Sequence, residues 1–145
     1  MIEFDFRLHA DRSECTGTQY FELTPGPYRG AHWVPGARFI DEYTFCLFEG
    51  IFEKRAPDYD HFASVDVGRP EWTLVIGDLS ALRERLLRVE DGMADLPYGG
   101  TLRVNDLFEA DSINNSRCLA ALISELLDWL RETLIQHDCI SVLGL

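Results

Sequence analysis

Residues 112–137 carry Leu119, Leu122, Ile123, Leu126, Leu127, Leu130 and Leu134, a run of threes and fours that winds into one broad apolar helix face. A face of that width must be buried, so the rest of the chain has to supply a cover for it. A second stripe is available: Trp72, Val75, Leu79, Leu82, Leu86 and Val89 recur at spacings of three, four, three, four and three. It predicts a helix over 70–90, with Pro70 in the first turn, where its missing N–H costs nothing. The apolar phase runs through Gly77 unbroken, which favours one helix over a strand at 73–76 followed by a helix from 78. Residues 139–143, CISVL, then read as a strand apolar enough to enter a sheet.

At the other end Ile2, Phe4, Phe6 and Leu8 alternate with Glu3, Asp5, Arg7 and His9, the period of a half-buried strand. A second strand is expected over 18–23 after a turn at 15–18, giving an antiparallel hairpin beside the CISVL strand. Residues 24–36 hold three of the six prolines and three glycines, the composition of an irregular loop, and carry Tyr28, His32 and Trp33. Residues 62–67 give no clear pattern. Residues 91–115 read as mostly loop, with a turn at 98–100 and a short strand at 101–104. The expected fold class is α+β: a small, mostly antiparallel sheet, the N-terminal hairpin plus the C-terminal strand, packed against about three helices. At 145 residues this is one domain, 1–145, large enough to bury roughly two thirds of its unfolded surface without staples.

Residues 41–66, DEYTFCLFEGIFEKRAPDYDHFASVD, hold seven acids and six aromatics. A helix over 42–54 at about 100° per residue places Glu42, Glu49 and Glu53 in one stripe and Phe45, Phe48, Ile51 and Phe52 opposite. Asp41 is the expected N-cap, and Pro57 the stop. An acidic aromatic loop follows at Asp58, Tyr59, Asp60, His61 and Phe62. The chain as a whole is acidic, with 25 Asp and Glu against 13 Lys and Arg and a formal net charge of −12. That balance excludes a nucleic-acid-binding face and favours encounter with basic proteins. It also serves simple solubility.

Several chemistries can be tested against the residues. Asp58, Asp60 and His61, with His32 or His9, offer a metal or acid/base site, but no HExxH, paired cysteines or EF-hand loop accompanies them, and no cofactor or metal is expected. Cys15 with His9 or His32 could pair as nucleophile and base, although nothing such as a GxSxG elbow fixes the arrangement. The four cysteines, at 15, 46, 118 and 139, have no metal-ligand spacing and read as reduced core thiols. Tyr98-Gly99-Gly100-Thr101 lacks the lysine of a phosphate-binding loop. The first twelve residues lack the pattern of a signal peptide, and no run is long enough for a membrane span, so a cytosolic protein is expected.

The surface reading is the more specific one. Trp33, Asp41, Glu42, Glu49, Glu53, Asp58, Tyr59, Asp60 and Asp66 are expected to bind a partner, aromatic anchors ringed by carboxylates. Phe39-Ile40-Asp41-Glu42, residues 57–62, the Glu71-Trp72 opening of the leucine-periodic helix and the ending 140–145 together resemble small acidic immunity proteins of bacterial toxin systems, particularly those of contact-dependent growth inhibition. The resemblance implies a cytosolic, non-enzymatic protein that neutralises the C-terminal domain of a cognate toxin, commonly a basic nuclease. It assigns no role to any single residue.

Overall fold

The two apolar stripes find each other. In the computed structural model, which describes residues 3–16, 19–88, 96–100 and 104–145, helix α3 (Arg69–Leu87) packs along helix α5 (Ser112–Gln136). Trp72, Val75, Leu79, Leu82 and Leu86 of α3 meet Leu119, Leu122, Ile123, Leu126, Leu127 and Leu130 of α5 in one core, all of them buried. The helix expected over 70–90 is a single element, and Gly77 sits inside it; positions 89 and 90 fall outside the described residues. The last helix begins and ends within a residue or so of expectation.

Both helices lie against a four-stranded antiparallel sheet formed by β1 (Tyr20–Pro25), β2 (Arg38–Asp41), β3 (Ser64–Gly68) and β4 (Cys139–Leu143), in the order β2-β1-β4-β3. Register follows from alternation. Phe21, pairing with Ile40, and Leu23, pairing with Val142, face the helices, as do Val65 and Val67 opposite Val142 and Ile140. Glu22, Thr24, Phe39, Ser141 and Leu143 take the opposite face, where the proline- and glycine-rich segment 26–37 lies over them. Trp72 on α3 closes the joint between layers by donating its indole N–H to the Ile140 carbonyl at 3.1 Å. No described helix is long and apolar enough to cross a membrane.

The architecture is the α+β sandwich read from the sequence, but its hairpin is built from different residues. The strand expected over 2–8 does not form: residues 3–8 join no ladder, and only His9 makes an isolated bridge, exchanging both backbone bonds with Phe39. Phe4, Phe6 and Leu8 still pack on the core, so the alternation reported half-burial without strand pairing. Asp5 anchors the segment. Its carboxylate accepts from Arg7, from His9 Nε2 at 2.7 Å and from the Tyr20 hydroxyl at 3.2 Å. The partner strand of β1 is instead β2, across the 26–37 loop, and residues 62–67, unassigned from sequence, supply most of β3.

The two outer strands differ. Segment 5–9 covers the far side of β2 through the His9 bridge. On β3, Arg69 N–H to Asp138 O and Gly144 N–H to Ala63 O bracket the ladder with β4. The alternation of an antiparallel pair then turns the backbone of Ser64 and Asp66 away from β4, and no described residue bonds those groups.

The expected helix over 42–54 is two helices, α1 (Glu42–Cys46) and α2 (Glu49–Arg55), with Phe48 in a non-helical conformation between them. In a continuous helix the Gly50 N–H would donate to the Cys46 carbonyl. Instead segment 96–100 takes both groups, Gly50 N–H bonding Pro97 O at 2.9 Å and Gly99 N–H bonding Cys46 O at 3.0 Å. The approach is so close that a Cβ on Gly99 would fall 2.7 Å from Gly50 N. Asp41 caps α1 as expected, accepting from Thr44 N–H. A further short helix, α4 (Asn105–Glu109), lies where loop was expected, and most of the strand expected at 101–104 falls outside the described residues.

Candidate functional site

The acidic stripe on 42–54 is where the sequence reading and the structure part. The break at Phe48 splits the stripe, and its first two acids are turned inward. Glu42 is 6 % exposed and Glu49 0 %, while Glu53 alone stays in solvent. The reason is His61, which reaches back from the loop after α2 and is itself 9 % exposed. Its Nδ1 lies 2.6 Å from Glu49 Oε2 and its Nε2 2.9 Å from Glu42 Oε2. With a carboxylate on each ring nitrogen, both nitrogens must donate, so the ring carries two protons and a positive charge between two negative ones.

Three more groups complete the cluster. The Tyr59 hydroxyl makes a short hydrogen bond to Glu49 Oε2, and the Cys46 thiol approaches Glu49 Oε1 at 3.6 Å. Phe21 sets its ring against the imidazole edge-on at 5.0 Å, and Phe62 does the same at 4.7 Å. Above the cluster, Gly100 takes a left-handed φ of +71°, and a Cβ there would come within 2.5 Å of Glu49 Oε1 and 3.1 Å of His61 Nδ1. Only glycine fits that position, for its conformation and for its closeness.

Electrostatics follows from burial and these partners. Burial acts to lower the His61 imidazole, but its hydrogen bonds to Glu42 and Glu49 and their charges outweigh that and raise it above its ordinary value. Burial, then the charge and hydrogen bond of Glu49, push the Cys46 thiol far up and hold Tyr59 as the neutral phenol. Cys46 is therefore an inert thiol as long as only protons are present.

The other predicted site residues lie as follows. Asp41 is half-buried as the α1 cap, and burial raises its carboxyl despite the bonds from Thr44. Asp58 and Asp60 are exposed, and Tyr59 is half-buried because its hydroxyl turns in. Asp66 is exposed yet structural, accepting from Tyr28 N–H at 2.9 Å and lying 2.8 Å from Ser141 Oγ. Trp33 is 63 % exposed, has a positive φ of 60°, and stacks against the Arg12 guanidinium at 5.5 Å.

Asp58 and Asp60 do not join His61 in a metal or acid/base site. The imidazole turns to the helices instead, and among the described residues the one group of metal-type donors that converges is Cys46, Glu49 and His61. Cys15 is half-exposed beside Arg12, and burial raises its thiol against the lowering effect of that guanidinium. Of the four thiols only Cys46 is fully in the core, and all four are free.

Glu22 is a functional-looking residue that the sequence reading missed. It is buried in β1, and its carboxylate accepts the backbone N–H groups of Trp33 at 2.8 Å and Val34 at 3.3 Å and the Thr24 hydroxyl at 3.0 Å. With Asp66 at the other end, it ties the 26–37 segment onto the outer face of the sheet. The signal was present in the order Phe21-Glu22-Leu23, where an acid alternates with core residues and so falls on the face away from the helices. Comparison of the chain with family models, with curated proteins and with solved structures finds no match.

Proposed function

We propose that this protein is a cytoplasmic, non-enzymatic inhibitor of the immunity type, which binds the basic C-terminal domain of a cognate toxin, a nuclease of a contact-dependent growth inhibition system. The observation that carries the reading is a groove of about 490 Å³ along β3, lined by Asp58, Asp60 and Asp66 together with Tyr28. Glu71 adds a further carboxylate in the neighbouring groove, which Asp58 and Asp66 also line. Asp58, Asp60 and Asp66 are exposed and Glu71 half-buried, in contrast to the buried Glu42 and Glu49, and Asp66 contacts the loop segment that also carries Trp33 through Tyr28. Lysines and arginines that grip phosphate in a nuclease cleft are the groups such a surface takes up. The net charge of −12 steers encounter, and an exposed tryptophan supplies an apolar anchor.

The test is co-expression with the toxin fragment encoded immediately upstream, scored by growth rescue and co-purification. The surface is then tested by Glu53→Lys, Asp58→Lys and Asp60→Lys, alone and combined. These side chains are exposed, so the fold is retained while association slows, Kd for the fragment rises by at least about 100-fold for the triple variant, and the salt dependence flattens. A toxic fragment that is neither bound nor neutralised overturns the function. Binding that is unchanged in the triple variant overturns the surface.

A further inference from the structure

We propose that Cys46, Glu49 and His61 bind one divalent transition-metal ion, with zinc the best fit, beneath the Gly100 backbone. The inference is independent of the immunity reading and concerns the buried cluster, not the acidic groove. A thiol, a carboxylate and an imidazole, all buried, bring one donor atom each to within 4.8 Å of one another. Sulfur and nitrogen donors together select zinc over magnesium or calcium, which take oxygen.

The surroundings are those a metal ligand set needs. His61 offers Nδ1 to the site while its Nε2 donates to Glu42, the carboxylate behind a histidine that orients a ligating ring and raises its basicity. Tyr59 holds Glu49 in the same way from the side. A tetrahedral zinc ion keeps its N, O and S donors about 3.3–3.7 Å apart. Cys46 Sγ stands 3.6 Å from Glu49 Oε1, and His61 Nδ1 stands 2.6 Å from the other oxygen of that carboxylate, Oε2, so Glu49 has to turn or chelate to serve one ion as the proton between it and His61 leaves.

The charges balance. Two carboxylates and an imidazolium leave the cluster with one negative charge. Zinc enters as Cys46 gives up its S–H proton and His61 its Nδ1 proton, so two protons leave for one dication and the cluster stays at one negative charge. Gly100 is solvent-exposed, so the site lies one glycine backbone from water and an ion has a short way in. Three protein donors leave the fourth tetrahedral position open.

The competing arrangement is a closed hydrogen-bond network that takes no ion, and the two are separable. Tag-free protein is stripped with chelator at neutral pH and titrated with cobalt(II), then with zinc(II). The expected result is a thiolate-to-cobalt charge-transfer band that saturates at one ion per chain, is removed by one equivalent of zinc, and accompanies release of two protons per zinc. Cys46→Ser abolishes the band, Glu42→Gln weakens binding by about 10- to 100-fold, and Asp58→Asn/Asp60→Asn leaves both band and stoichiometry unchanged. Absence of the band in the wild-type protein overturns the proposal without recourse to any variant. So does binding that survives Cys46→Ser, or that disappears with Asp58 and Asp60.

Discussion

Replacing His61 by leucine should cost more than neutralising either acid beside it. The imidazole packs edge-on against the rings of Phe21 and Phe62, at 5.0 and 4.7 Å, so an apolar side chain is acceptable there and the loss is mainly electrostatic. Without the ring, Glu42 and Glu49 remain buried with no cation between them. Breaking a buried ion pair by removing one partner costs about 3–5 kcal/mol. For a chain of this size that corresponds to a fall in Tm of roughly 10–20 °C. Glu49→Gln, by contrast, leaves a neutral His61–Glu42 pair and an amide oxygen that can still accept from Tyr59 or His61, a cost of about 1–3 kcal/mol. In the double variant the Glu49 charge no longer lacks a partner, so the combined cost falls short of the sum by at least about 1 kcal/mol. Urea unfolding at pH 7 with chelator present, followed by tryptophan fluorescence and far-ultraviolet circular dichroism, measures all three. Additivity within about 0.5 kcal/mol, or a Glu49→Gln variant less stable than His61→Leu, would refute the picture of an imidazolium clamped by two carboxylates.

The remaining predictions use the same assay. In metal-free protein His61 has a folded pKa raised above its unfolded value near 6.5, faced by Glu42 and Glu49 with the neutral Tyr59 and Cys46 beside them. Its contribution is therefore complete below about pH 6.5 and is lost as pH rises through the folded value; His61→Leu should flatten that slope, and an unchanged slope would assign it elsewhere. Asp5, lowered to about 2 by Arg7 and His9 against the opposing effect of burial, contributes stability above about pH 3.8 that disappears as pH falls toward 2. Asp5→Asn should remove that acid limb. Gly77→Ala, in the interior of α3 with open space around the new methyl group, should stabilise by about 0.5–1 kcal/mol. Gly144→Ala should instead destabilise by at least about 1–3 kcal/mol, because its Cβ would lie 2.1 Å from the His61 carbonyl oxygen.

What could be read from the sequence was whatever depends on local period. The α3 and α5 stripes and the CISVL strand were legible because each element buries its own repeating face, and the phase across Gly77 was enough to choose one helix. The α1–α2 break was not, since its cause is Pro97 and Gly99 taking the Gly50 and Cys46 backbone groups from some fifty residues away. The alternation at Ile2–Leu8 misled for a related reason: period two records which side chains face the core, and says nothing of which backbone lies alongside. Glu42 and Glu49 were expected together on one solvated stripe, but they turn inward from two helices to His61, nineteen and twelve residues on, and an acid is read as solvated until its partner is known. Of the residues expected to bind a partner, Trp33, Glu53, Asp58, Asp60 and Asp66 are exposed as the sequence suggested.

The unequal outer strands bear on how the molecule behaves in concentrated solution. His9 stoppers β2, whereas the backbone of Ser64 and Asp66 on β3 is left without a protein partner among the described residues. What keeps two copies from zipping together along β3 at neutral pH is mutual repulsion, concentrated at Asp58, Asp60 and Asp66 beside that strand. Salt screens the repulsion and leaves the template intact, so association at high ionic strength should begin there, through strand pairing in a protein that is still folded. A proline at Ser64, whose N–H points away from β4, would then hold the protein apart in salt without loosening the sheet.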